Sequence, residues 1–293
     1  MSIKKTSFSV AAAVALSLSG VAIADASVWG LGGFNQSAVA PKSNHSILSI
    51  DNSISVAAAG TLMNYQEHIN PGPSDTESGW MPGFKVTGNY MGQNHVYLHL
   101  GYQYNSGGIH YDGANLETHA AVQTTDRATT QQLLGKIGYG FFMDNGKIAV
   151  TPYVAAGYQS WHRNLEIPVG QEIEDYSATL AGTGALFQYQ ITPRLVFSAD
   201  SEFLAVTGGG MTPHITGLDL GSAHFGVSGE EKVAVSANYR ISGPWSVFGG
   251  LNFTHFNYTG GAITSYTQDV TDASEPPSST NLFGMDAGIR YSF

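Results

Sequence analysis

Charged residues are scarce in this chain, 12% of 293 positions, so those recurring at alternate positions within apolar stretches stand out. The basic ones are Lys85, Lys136, Lys232, Arg240 and Arg290, and the acidic ones are Asp200, Glu202, Glu230 and Asp286. A nearly balanced set of this kind can do two things. Enclosed, it forms a structural network, because buried charge persists only when paired and hydrogen-bonded. Lining water, it biases the passage of ions. The network is the expectation and the ion path the alternative.

Other residues could carry chemistry of a different sort. His110, Asp112, Glu117 and His119 lie within one polar stretch that could fold around a cation, but the spacing is unspecific and no metal site is assigned. His95 and His99, four residues apart in an extended chain, would have Cα atoms roughly 13 Å apart, too far to share one ion routinely. Asp219 and His224 form an acid and histidine pair in a late polar break, and His255 stands among aromatics in Thr254-His255-Phe256-Asn257; neither has a recognisable catalytic partner. The chain has no cysteine, which excludes thiol and disulfide chemistry. No cofactor is expected.

The elements that must position these residues are strands. From Asn281 onward, Phe283, Met285, Ala287, Ile289, Tyr291 and Phe293 fall on one face, while Gly284, Asp286, Gly288, Arg290 and Ser292 fall on the other. This period of two suits a strand with one side in lipid and the other in a polar lumen. The pattern recurs about ten times, at roughly 54–66, 80–91, 95–106, 130–142, 147–162, 176–191, 195–207, 229–241, 245–259 and 280–293. Val96, Leu98, Leu100, Tyr102 and Tyr104 oppose His95, Tyr97, His99 and Gln103; Val233, Val235 and Tyr239 oppose Glu230, Lys232 and Arg240. Short breaks at Gly92-Gln93-Asn94, Asp144-Asn145-Gly146, Thr192-Pro193-Arg194 and Ser242-Gly243-Pro244 read as tight turns. They alternate with longer breaks at Asn70 to Gly79, Gly107 to Thr129, Asn164 to Asp175, Gly208 to Ser228 and Gly260 to Ser279. Within these, Glu166, Glu172, Glu174, Asp175, Asp269, Asp272 and Glu275 read as solvated surface charge.

No run after the first 26 residues supplies the ~20 apolar residues a transmembrane helix needs, so any membrane span must be a closed barrel. The fold expected is all-β, a transmembrane antiparallel up-and-down barrel of about ten strands, with eight or twelve as alternatives. Residues 1–26, basic at Lys4 and Lys5, then apolar, then small at Ala24-Asp25-Ala26, read as a signal peptide. Residues 27–53, including Val28-Trp29-Gly30 and Ile47-Leu48-Ser49-Ile50, are either an extension or an extra hairpin, and 54–293 form the barrel domain. Cleavage would remove Lys4, Lys5 and Asp25, taking 12 basic and 22 acidic residues to 10 and 21, a net of −11. Such acidity argues against nucleic-acid binding.

The terminal strand, with apolar residues at alternate positions and an aromatic at the end, resembles the C-terminal assembly signal of Gram-negative outer-membrane barrels, carried here by Phe283, Met285, Ile289, Tyr291 and Phe293. The general plan is similar to the OmpA/OmpX-like and opacity-type families. Size and strand count also resemble the omptin proteases, but the Asp-x-Asp and Asp-x-His motifs of that family are missing. The resemblance implies a cell outer membrane location, contact with outer-membrane lipid and lipopolysaccharide, and recognition by the barrel assembly machinery. The expected function is a non-enzymatic surface scaffold displaying loops for envelope stabilisation or adhesion, with an extracellular ligand unidentified. A narrow channel and a loop-end protease or lipid hydrolase are the alternatives. If the last strand is both a lipid-facing element and a recognition signal, changing Tyr291 and Phe293 to Ser removes apolar burial worth a few kcal/mol. Folded, heat-modifiable protein should then fall far more in cells than in detergent refolding, measured by gel shift; equal losses would leave packing alone as the role.

Overall fold

The computed structural model describes residues 47–69, 74–114, 120–167, 170–267 and 273–293. Ten long strands follow one another: β1 (Ser53–Glu67), β2 (Thr76–Met91), β3 (Val96–Ala114), β4 (Ala121–Tyr139), β5 (Ile148–Ile167), β6 (Gly170–Thr192), β7 (Leu195–Ile215), β8 (Ser228–Ser242), β9 (Trp245–Tyr258) and β10 (Ser278–Ser292). Each pairs antiparallel with its neighbours in sequence, and β10 returns to β1 from Ser53↔Ser292 to Glu67↔Ser278. The sheet is therefore a closed ten-stranded antiparallel barrel.

Side chains alternate as the period of two requires. Ile54, Val56 and Leu62 on β1, Leu98 and Leu100 on β3, Val233, Val235 and Tyr239 on β8, and Phe283, Met285, Ile289 and Tyr291 on β10 are all exposed on the outer wall. So large an apolar outer surface marks a non-aqueous neighbour. On β5 this belt runs from Ile148 to Tyr158, and at about 3.3 Å per residue with a tilt near 40° it rises ~25 Å, the height of a barrel's lipid-facing band. Rows of glycine let strands pack where a side chain would not fit. A Cβ on Gly288 would collide with the Val56 carbonyl oxygen, and one on Gly60 would enter the Trp80 ring that covers it.

The tight turns fall where the sequence places them. Asn145 and Gly146 adopt φ of +53° and +84°, and Gly243 +52°, conformations that favour Asn and Gly. His95 is a correction: with φ of +64° it belongs to the turn before β3, where its ring meets Phe142 edge-on, and it does not face inward with His99. Of residues 27–53, only Ile47 onward lies within the described residues, and 1–26 lies outside them. Ile47–Ile50 forms one helical turn rather than a strand, because Ile47 and Ile50 share its buried face against Ala149, Val196 and Phe142. Asp51, next in sequence, accepts a hydrogen bond from Gln188 at 2.9 Å. The segment thus fills the short-turn end of the barrel.

At the opposite end the strands run further than expected. The breaks read at Gly107 to Thr129, Asn164 to Asp175 and Gly208 to Ser228 are in large part strand. Above Tyr158 the outward residues of β5 become Ser160, His162, Asn164 and Glu166, so the apolar half of the alternation disappears while the pairing continues. The barrel wall therefore rises roughly 20 Å above its apolar belt. Two connections also pair with each other on this rim: the Gly221 amide donates to Thr264 O at 2.7 Å and the Tyr266 amide to Asp219 O at 2.8 Å.

Protease added to intact cells should cut the exposed Thr216–Asp219 turn and spare Asn145 and Pro193. Asp175, paired with His162 within the wall, should resist. Mass spectrometry of the fragments reads both, and cutting at the short turns would reverse the orientation.

Candidate functional site

The lumen holds charge in two layers. In the lower one, Lys136 Nζ donates to Asp200 at 2.6 Å and pairs with Glu202, while Lys232 lies 4.0 Å from the second oxygen of Glu202. Tyr153 ties the group together, its hydroxyl donating to Asp200 at 2.5 Å and accepting from Lys136 at 3.2 Å. Lys85 reaches Asp286 over the intervening β1 at 3.4 Å. Glu230 accepts from Gln132 at 3.2 Å, and the Arg290 guanidinium lies 4.9 Å from the Phe248 ring centre. The charged residues come from β2, β4, β7, β8 and β10, so one ionic layer spans the barrel. Arg240 stays apart from it. It is at the short-turn end, where Nε donates to the Gly243 carbonyl at 2.9 Å, because the strand ends two residues later.

Between the layers is a cavity of about 60 Å³ bordered by Thr61, Gln103, Gln132, Asn252, Glu230 and Trp161. Its polar walls and size suit a few water molecules rather than an open path. Aromatic rings roof it. Trp161 stacks on Tyr176 with centres 5.0 Å apart and meets Tyr65 edge-on at 4.9 Å, and Tyr176 continues to Tyr258 at 5.9 Å.

The upper layer was not legible as a site. Arg163, on the inner face of β5 and 2% exposed, pairs with Glu67 of β1 at 3.7 Å, with Glu77 of β2 and with Glu174 of β6. The Tyr176 hydroxyl lies 2.9 Å from Glu174 and 2.7 Å from Glu275, and Tyr111 donates to Asp75 at 2.5 Å. Asp126 of β4 accepts from the Asn164 amide at 2.6 Å. The reading of Glu174 and Glu275 as solvated surface charge is corrected: both are buried, Glu174 because the wall continues past it and Glu275 because its connection folds over the Tyr176 hydroxyl. Burial raises the carboxyls of Glu67 and Glu172 to about 7 and that of Glu275 to about 9, and it raises Glu77 and Asp126 as well. The surrounding carboxylates hold the Arg163 guanidinium firmly charged.

The histidines are dispersed. His99 faces inward and bonds Asn89 at 2.7 Å, His255 bonds Asn281 at 2.9 Å, and His162 meets Asp175 at 2.7 Å on the outer wall. His110 and Asp112 point outward from β3, while Glu117 and His119 lie outside the described residues. No hydrogen bond or ion pair joins Asp219 to His224 among the described residues. Among the described residues there is also no group of three or more His, Cys, Asp or Glu placed to hold a metal.

This closed ten-stranded wall with an outward apolar belt and a polar, filled interior is the fold of Gram-negative outer-membrane β-barrels. The outer-membrane protease OmpT from Escherichia coli superposes with a TM-score of 0.59 at 9% identity, over 82% of this chain and 95% of that one. The transport unit of the autotransporter AIDA-I from E. coli gives 0.43 at 13% identity, over 82% and 90%, and OprG from Pseudomonas aeruginosa 0.38 at 10%, over 85% and 98%. These likenesses are of fold. No family model and no curated protein matches the chain in sequence.

Replacing Arg163 by Gln leaves its carboxylates without their cation, a change that costs about 3–5 kcal/mol when a buried pair is broken. Protonation would relieve the repulsion, so the loss should be large at pH 8 and smaller at pH 5, read by denaturant unfolding at both values.

Proposed function

We propose that this protein is an integral outer-membrane scaffold, non-enzymatic, that carries its loops on a rigid rim above the membrane for envelope stabilisation or adhesion. The observation that carries this reading is the filled interior. A helical turn occupies the short-turn end, an ionic layer crosses the middle, and rings and the Arg163 cluster occupy the top. Ten strands enclose little more than their own side chains, whereas aqueous channels are built from more. The signal-like residues 1–26 and the outward apolar and aromatic face of β10 support export, insertion by the assembly machinery and residence in the outer membrane of a Gram-negative cell. Outer-leaflet lipid and lipopolysaccharide would then surround the belt. A scaffold role also agrees with the histidines, which are spread over different faces and hold structural amide or carboxylate partners.

The reading is tested by one variant and two measurements. Glu202 has 2% of its side chain exposed and faces both Lys136 and Lys232. Glu202→Gln should destabilise the barrel by a few kcal/mol in thermal or denaturant unfolding, because two ammonium groups lose a counterion in a dry site. Planar-bilayer recordings should show negligible steady current for both proteins. An ion-selective wild-type current, shifted by Glu202→Gln at unchanged stability, would establish the channel instead, and turnover of peptide or lipid by the pure protein would establish an enzyme.

A further inference from the structure

Charge is out of balance in the upper layer. Arg163 on β5 is faced by Tyr65 and Glu67 from β1, by Asp75 and Glu77 at the start of β2, and by Tyr111 from β3, while His162 beside it points outward to Asp175. Asp126 comes from β4, Glu172, Glu174 and Tyr176 from β6, and Glu275 from the segment before β10. Seven carboxyl groups thus surround one buried guanidinium. Enclosed carboxylates so close together cannot all be ionised.

Two buried oxygens without a donor mark where a proton is needed. Glu77 is 1% exposed and Asp126 is fully buried, and neither Glu77 Oε2 nor Asp126 Oδ2 has a donor among the protein groups around it. Their carboxyls nevertheless lie within hydrogen-bonding reach of each other. Two carboxyl oxygens can meet in this way only if one carries hydrogen. We infer that Glu77 and Asp126 share a proton, and that the Arg163 cluster is a proton-held clasp that tightens the extracellular rim in acid and loosens it as pH rises.

The clasp joins parts that are distant in sequence. Asp75 and Glu275 flank two different loops, and their backbones are tied into the same corner: the Glu67 amide donates to Asp75 O at 2.9 Å and the His68 amide to Pro277 O at 2.7 Å. Tyr176 links Glu275 to Glu174, and Tyr111 holds Asp75. Losing protons here sets like charges on β1, β2, β4, β6 and the segment before β10 against one another. The sign follows from linkage. Glu67 and Glu172 titrate near 7 and Glu275 near 9 in the folded rim, against 4.5 when unfolded. The folded state therefore binds more protons through that interval. Its advantage is complete below about 4.5 and is lost as pH rises through 7 to 9.

Hydrogen exchange followed by mass spectrometry on the full barrel in detergent tests this, with rates expressed as protection factors to remove the intrinsic pH dependence. Protection of 74–78 and 273–278 should fall at least about tenfold from pH 5 to pH 9, while strand centres within the belt stay constant. Glu275→Gln, an isosteric copy of the protonated acid, should reduce that slope and raise protection at pH 9. A second readout does not depend on rim stability: the infrared carbonyl band of protonated carboxylic acid should be present at pH 7 in the wild type and diminished in Asp126→Asn. Protection that is flat or rises with pH, or the absence of that band in the wild type, would overturn the inference.

Discussion

Everything in this barrel depends on the closure of its hydrogen-bonded ring. A backbone amide in an apolar belt has no water to bond, so every strand must find a partner on both sides, and the first must find the last. The pairing of β1 with β10 over their whole length does this. It also explains why so much is concentrated in the last strand. Its outer side supplies Phe283, Met285, Ile289 and Tyr291 to the belt, and its inner side supplies Asp286 to Lys85 and the Arg290 guanidinium to the face of Phe248. The residues that close the wall are also part of what fills it.

Closure at ten strands then constrains the interior. The lumen is narrow enough that a lysine from one wall reaches a carboxylate on another, as Lys136 of β4 does to Asp200 and Glu202 of β7. A buried charge in such a space is tolerable only with an opposite partner and further hydrogen bonds, which Tyr153 supplies. The same geometry leaves a cavity of only about 60 Å³ above that layer. Strand number therefore bears on the functional reading as much as the side chains do: it sets a radius at which paired charges seal the barrel.

The belt was legible in sequence because it imposes two independent periodicities on the same residues, apolar outside and polar inside. That is why the outward faces of β3, β8 and β10 and the inward positions of Lys136, Asp200, Glu202 and Lys232 could be read directly. Above the belt the outer face meets water and its apolar signal vanishes, so strand residues such as Asn164, Glu166 and Asp175 look like loop. Arg163 was missed for this reason. The available signal was on the inner face alone, in the alternation of Tyr65 with Glu67, of Trp161 with Arg163, and of Glu174 with Tyr176. Arg240 failed differently: it has the right parity, but it sits at the end of its strand, where a turn carbonyl is nearer than any luminal partner.

The aromatic roof of Trp161, Tyr176, Tyr258 and Tyr65 separates two electrostatic regimes. Below it, Lys85, Lys136 and Lys232 are matched with Asp286, Asp200 and Glu202, and an exchange of protons with solvent would break pairs that the narrow lumen needs. Above it, carboxyls outnumber the single guanidinium, and protons are part of the structure rather than an intrusion. The unbalanced layer lies in the wall above the apolar belt, so the repulsion that deprotonation creates among its carboxyls acts at the end that carries the loops.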